Sequence, residues 1–233
     1  AVGQTMALFA TPDTGPMHLA AWSGLATLNL SLGNVNPWET GPYPGGHHVL
    51  RAALSCRGCW HCTQPRLLCH EHFTPRRTAL LMDRLVGTGG AQGGRLPGQR
   101  LLTTGRGTLG LYDLAPHTPR SSAREAAGRF WQAFFGWRFG LWGETAALDA
   151  ARAMREVEPR MARILSRGLP PFVRGLRKGL TGAMPEGFWR EAPPFFRLLA
   201  SYLELSLANE DHSPAARRAA LQTAESCLSL FAV

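Results

Sequence analysis

The chain reads as an α/β unit followed by a mostly α-helical module. Three observations predict this. The N-terminal third alternates short apolar, strand-like runs with helix-permitting segments, a Gly-rich tract interrupts the chain near residue 87, and the sequence beyond residue 123 carries apolar residues at helical spacing. With 233 residues, 45% of them hydrophobic, the chain can bury a sizeable core and has room for two units. The expected boundaries are 1–86 for the α/β unit, 87–122 for a linker and 123–233 for the helical module.

The first element is the apolar run Met6-Ala7-Leu8-Phe9-Ala10, a short buried strand. It enters the polar turn Thr11-Pro12-Asp13-Thr14-Gly15, and a helix-permitting segment runs from Pro16-Met17-His18 to Gly24. A second strand-like run follows at Ala26–Leu32. In open α/β sheets ligands bind beyond the carboxyl ends of the strands, where helices begin. Gly15 lets backbone approach a ligand, and Pro16 suits the first helical turn, where its missing N–H costs nothing. The free amides and positive dipole end of such a turn attract an anion, most simply a phosphate, with Asp13 and His18 beside it. Asp-Thr-Gly also occurs in aspartic proteases, but the single copy and the helix that follows exclude that dyad chemistry.

Cysteines give the second signal. Cys56, Cys59, Cys62 and Cys69 place four thiols within fourteen residues, with His61, His70 and His72 among them. Four soft ligands so close suit a structural zinc, whose role would be to pin a loop. An iron–sulfur site, a set of reduced cysteines and a local disulfide are the other readings. A closing helix is expected after Pro75. The tract Gly87–Gly94 has linker composition and lacks the Gly-Lys-Ser/Thr ending of a P-loop. Beyond it, Leu101–Thr104 and Thr108–Tyr112 flank Gly105-Arg106-Gly107 as a small hairpin.

Helices are expected over Ala126–Trp142, Thr145–Val157, Pro159–Arg167, Pro194–Ala208 and Pro214–Phe231, punctuated by Pro170-Pro171 and Pro193-Pro194. In the first, Phe130, Phe134, Trp137 and Leu141 share one stripe, with Trp131, Phe135 and Trp142 beside it. That stripe is either the core of a bundle, the favoured reading, or a membrane-interface face whose arginines reach phosphates. Ser213-Pro214 is a helix start, and Leu221, Ala224, Leu228 and Phe231 form the expected buried face, with Cys227 a buried free thiol beside them. Glu156, Glu158, Glu191 and Glu204 read as solvated helix faces, not an acid/base pair.

The formal charge is +9, and Lys178 is the only lysine, so the positive charge is almost all arginine. This balance favours anionic partners such as phosphates or an anionic membrane face. No recognisable nucleic-acid-binding motif is present, and nucleic acid is not expected as a partner. No apolar run approaches the roughly 18 residues of a transmembrane helix.

The stretch Asp13-Thr14-Gly15-Pro16-Met17-His18-Leu19-Ala20 resembles the signature of the ADP-heptose:lipopolysaccharide heptosyltransferases, bacterial glycosyltransferases of GT-B fold. The likeness continues through Leu32–Tyr43, with Gly41-Pro42-Tyr43 at its end, although Asn34-Val35-Asn36 replaces the usual Pro-Thr-containing turn. Val49-Leu50-Arg51, the Cys56/Cys59 pair, Cys69 and the helix after Pro75 follow in the family's order. The resemblance covers residues 1–86 and says nothing beyond residue 120.

By that resemblance, residues 1–86 are the end of the C-terminal, Rossmann-like nucleotide-sugar domain of a cytoplasmic enzyme. The reaction it implies is inverting transfer of a heptose-like sugar from a nucleoside-diphosphate donor, ADP-heptose, to a lipid-linked saccharide acceptor, with peripheral contact to the inner membrane. Thr14 and Gly15 would hold the diphosphate, Asp13 the sugar hydroxyls, and Pro16, Met17 and His18 would complete the site. Departure of the diphosphate is assisted by a helix N-terminus, so catalysis requires no metal. The catalytic base is expected outside this chain, which reads as a C-terminal fragment inactive by itself. The alternative is a non-catalytic, metal-stabilised interaction module derived from the same fold.

Overall fold

A computed structural model of the chain describes residues 5–54, 62–87, 96–107, 109–117 and 123–231. The chain divides into two compact units, 1–120 and 121–233.

The first unit is built on one five-stranded sheet. Its strands are β1 (Phe9–Pro12), β2 (Thr27–Ser31), β3 (His48–Ala52), β4 (Gln99–Arg106) and β5 (Tyr112–Pro116), adjacent in that order. β1, β2 and β3 run parallel, whereas β4 is antiparallel to β3 and β5 to β4. The unit is therefore α/β with a mixed sheet, unlike an all-parallel nucleotide-binding sheet. The first strand begins later than its apolar run because pairing starts at Phe9, whose N–H donates to the Ala26 carbonyl at 2.8 Å.

Helix α1 (Gly15–Trp22) crosses from β1 to β2, and the single turn α2 (Pro37–Thr40) lies between β2 and β3. The one-turn α3 (Leu68–Glu71) and α4 (Pro75–Gly87) follow β3. Strand alternation separates two faces. On one, Leu28, Leu50 and Leu101 pack with Leu81 and Leu85 of α4. On the other, Val49, Leu102 and Leu114 receive Trp38 of α2, and Asn29 lies against Met17 of α1.

A hairpin forms, but not with the expected strands. Gly105 and Arg106 lie inside β4, and the turn follows them, closed by the Gly107 N–H on the Leu111 carbonyl at 2.9 Å. The second strand is β5 at Tyr112–Pro116 instead of Thr108–Tyr112, and both strands belong to this sheet. The unit consequently extends to residue 120, past the boundary expected at 86, because Leu101, Leu102 and Leu114 supply part of its two cores.

The second unit is helical: α5 (Ala123–Arg138), α6 (Glu144–Val157), α7 (Pro159–Thr181), a 3₁₀ turn at Pro194–Phe196, α8 (Arg197–Asn209) and α9 (Pro214–Ser229). The aromatic part of the α5 stripe is its core, but the helix ends at Arg138, short of the expected Trp142, and Leu141 falls beyond it, 64% exposed. Phe130 and Phe134 are fully buried, and Trp131 donates its indole N–H to the Phe195 carbonyl at 3.1 Å. Trp142 closes the α5–α6 corner, its indole occupying the place a Cβ on Gly136 would take. Ser213 caps α9 by accepting the Ala216 N–H at 3.2 Å, and Cys227 is buried, a setting that pushes its thiol pKa well up.

Helix α7 differs from expectation. It runs unbroken through Pro170 and Pro171 instead of ending at Arg167. The stripe Met161, Leu165, Leu169, Phe172, Val173 and Leu176 keeps helical spacing across both prolines. Its burial outweighs two lost backbone bonds, each costing about 3 kcal/mol. On the same helix Gly168, Gly175 and Gly179 leave room for Phe196, Phe188 and Met184, which seats the loop before α8 against it. Among the described residues no helix is long and apolar enough to cross a membrane.

Candidate functional site

The turn between β1 and α1 sits at the carboxyl end of the parallel strands. Thr14 is the N-cap residue, in extended conformation, and its side chain makes no capping bond. Its hydroxyl lies 3.3 Å from that of Thr11, which is buried on β1. Pro16 has no N–H, and the Met17 N–H turns back to the Thr14 carbonyl at 3.0 Å. Gly15 N–H is thereby left as a first-turn donor with no acceptor among the described residues. A Cβ built on Gly15 would meet nothing within 4 Å, so the turn is open on that side.

Asp13 is the centre of the arrangement. Its carboxylate accepts a short hydrogen bond from the Thr40 hydroxyl at the end of α2, 27 residues away. The Thr40 hydroxyl also reaches the Asn36 carbonyl at 3.2 Å. His18 Nε2 stands 3.9 Å from the other carboxylate oxygen, too far for a hydrogen bond. Its side chain keeps 41% of its surface exposed against 12% for Asp13. The imidazole thus faces outward while the carboxylate is held from behind.

Sequence detail explains why α2 arrives there. Asn36 caps it, accepting from Trp38 N–H at 3.4 Å and donating to the Glu39 carboxylate at 2.6 Å, and Pro37 starts the turn. A Cβ on Gly41 would overlap the Tyr112 hydroxyl and the Pro37 carbonyl, so only glycine fits behind Thr40. Tyr43 then stacks between Trp22 (5.7 Å) and Tyr112 (5.9 Å), with the Arg106 guanidinium 5.5 Å from its ring centre. The Tyr112 hydroxyl is buried without a hydrogen-bond partner among the described residues. Burial first, then the Asp113 and Asp13 carboxylates, push its pKa up and keep it protonated.

The same end of the sheet is basic. Arg51, next to last in β3, pairs in register with Ser31 of β2 and with Arg100 of β4, and is only 5% exposed. By strand alternation these three residues share the face that carries α1.

Of the six residues expected to bind a nucleotide sugar, Asp13, Thr14, Gly15, Pro16 and His18 surround the open turn. Met17 does not: it is fully buried, its sulfur accepting from Asn29 Nδ2 at 2.8 Å. Position three of a short helix that lies on a sheet points inward, and Met17 is the residue that docks it. Sequence reasoning missed Thr11, Thr40 and Tyr112 as neighbours of this turn. Thr40 and Tyr43 stood in a segment already singled out, while nothing in the sequence marks Tyr112 as the partner of Gly41.

Of the four cysteines considered for metal, Cys56 and Cys59 lie outside the described residues. Cys62 and Cys69 are free thiols, Cys62 donating weakly to the Gln64 carbonyl at 3.9 Å. Among the described residues no group of three or more His, Cys, Asp or Glu side chains is arranged to hold a metal. Comparison with protein-family models, curated proteins and solved structures finds no match to the chain.

Proposed function

We propose that the first unit supplies part of the donor site of an inverting glycosyltransferase resembling the bacterial heptosyltransferases. The donor is a nucleoside-diphosphate sugar, ADP-heptose by the resemblance, and the acceptor a lipopolysaccharide-type, lipid-linked saccharide. One observation carries this reading: the bond from Thr40 to Asp13 joins the two separate stretches that bear the resemblance, Asp13–His18 and Leu32–Tyr43. Two motifs distant in sequence meet at one open helix start.

The chemistry follows from the groups present. Glycosyl transfer needs the leaving diphosphate stabilised as its charge develops. The Gly15 N–H and the positive end of α1 point to where that charge appears, and Arg51 and Arg100 raise the potential of the same strand ends. His18, held beside Asp13, donates toward a phosphate or sugar oxygen. The second carboxylate oxygen of Asp13 accepts from a sugar hydroxyl while Thr40 fixes the first.

Calorimetric titration of the full chain with ADP, ADP-heptose, GDP and UDP tests this reading. Adenine-nucleotide binding that Asp13→Ala weakens at least tenfold supports it. Gly15→Val should also abolish binding while leaving thermal stability intact, because the added side chain meets only an approaching ligand. Absence of any nucleotide binding at millimolar concentration, or binding indifferent to both substitutions, overturns the assignment.

A further inference from the structure

Helix α7 carries six cations, Arg160, Arg163, Arg167, Arg174, Arg177 and Lys178, and no acidic residue in its 23 positions. At 100° per residue all six fall within about 100° of the helix circumference, opposite the buried stripe centred on Leu165, Leu169 and Leu176. All six are exposed. Arg177, at the edge of the arc, pairs with Glu225 of α9 at 2.5 Å. The other five have no ion-pair partner among the described residues.

A merely solvated helix face mixes signs, because opposite charges three or four positions apart support a helix and like charges there oppose it. α6 does mix them, with Glu144, Asp149 and Glu156 among Arg152 and Arg155. α7 instead sets like charges at 160/163, 163/167 and 174/178. Each such pair weakens the isolated helix, an effect that a polyanionic partner reverses.

We propose that the exposed face of α7 docks on an anionic lipid bilayer surface, independently of the donor-site reading. The face presents cations and Pro171 but no exposed large apolar side chain, so it lies on headgroups and does not insert. Its cations are unevenly spaced, at about 4.5, 6, 10.5 and 6 Å along about 27 Å of helix. Lipid headgroups move laterally and gather beneath any line of charge, whereas the phosphates of a nucleic acid are fixed by its backbone. The face also lacks an aromatic residue on which a base would stack. Arginine suits phosphate through its paired donors.

The test is co-sedimentation of the full chain with phosphatidylcholine vesicles with and without about 30 mol% phosphatidylglycerol, which supplies the negative surface potential that attracts basic residues. Binding only to the anionic vesicles, reversed by salt, is expected. The variant Arg163→Glu/Arg167→Glu/Arg174→Glu should bind at least tenfold more weakly, and the corresponding glutamine triple variant should lose an intermediate amount. Arg76→Glu/Arg77→Glu/Arg218→Glu removes the same net charge from other exposed positions and should stay within about twofold of the parent. Equal loss in both charge-reversal variants, no binding to anionic vesicles, or tighter α7-dependent binding to a duplex or single-stranded oligonucleotide overturns the proposal.

Discussion

The two units bury different things. Of the nine polar or charged side chains buried among the described residues, eight lie in the sheet unit and only Thr223 in the helical one. The helical unit instead closes around Phe130, Phe134, Phe172, Phe196 and a long row of leucines. Burying a polar group gains nothing for stability unless it is bonded, so its concentration in one unit marks where the sequence answers to something besides packing. The sheet unit holds its chemistry beneath α1 and α2. Among the described residues of the helical unit the interior polar groups reduce to Thr223 and the Arg138 guanidinium that reaches it, and the feature proposed above for a partner lies on the surface of α7.

The largest expected effect tests the apolar side of that contrast. Phe134 is fully buried, meeting Phe130, Trp131, Phe135 and Trp137. Phe134→Ala should destabilise the helical unit by about 3–5 kcal/mol in denaturant unfolding. Nucleotide affinity of the sheet unit should be unchanged. A fall in both would show that the two units do not fold separately.

Much of each unit can be read from its residues, and the failures have physical causes. The apolar runs at 6–10 and 26–32 with Gly15-Pro16 between them predict β1-α1-β2, and Ser213-Pro214 predicts the start of α9, because these signals act within a few residues. The signals that mislead are long-range. Pro170-Pro171 reads locally as a break, but an apolar stripe spanning both sides holds α7 together. Gly105-Arg106-Gly107 reads as an isolated hairpin, yet His48 to Ala52 offers β4 a free strand edge. In the candidate site, Asp13, Gly15 and His18 are legible because one turn carries them. Thr40 and Tyr112 become neighbours of that turn only through folding, and Met17 lies at a position that any sequence motif would place beside the ligand.

A middle-sized effect probes the closest packing behind the site. Gly41→Ala puts a methyl group into the Tyr112 hydroxyl and the Pro37 carbonyl, and backbone cannot yield there without moving α2. The expected destabilisation is about 1–3 kcal/mol, with loss of the Tyr43–Tyr112 stack visible in near-ultraviolet circular dichroism. Gly15→Ala, where space is open, should leave the fold unaffected. Equal effects at the two glycines would erase the distinction between a packing glycine and an approach glycine.

Smaller still is a proton-linked effect on the other face of the sheet. His48 and His117 rings lie 5.6 Å apart, with the Thr103 hydroxyl 3.4 Å from His48 Nδ1 and 2.6 Å from His117 Nε2. Burial, then the charges of His117 and His47, lower the His48 pKa to about 4 from an ordinary 6.5. The unfolded chain therefore binds this proton more readily than the folded one. Stability is fully present above pH 6.5, falls as pH drops toward 4, and changes no further from this group below that. With partial exposure screening the effect, about 1 kcal/mol should be lost across the window. His48→Gln should flatten that part of the stability profile, and an unaltered slope would assign the titration to other groups.

The smallest expected effect bears most directly on why the sheet unit buries polar side chains. Asn29 is 1% exposed in the middle of β2, and its amide donates to the sulfur of Met17. A thioether is a weak acceptor that needs no partner of its own. Asn29→Val removes the donor, leaves no strong acceptor unsatisfied and places a strand-favouring side chain under α1. Stability should therefore change by no more than about 0.5 kcal/mol in either direction. A loss well above 1 kcal/mol would mean that Asn29 holds α1 in place as firmly as a hydrophobic residue does, and that the polar stripe is structural. Near-neutrality with unchanged nucleotide affinity would confine the functional demand to the strand ends, where Ser31, Arg51 and Arg100 stand beside one another in register.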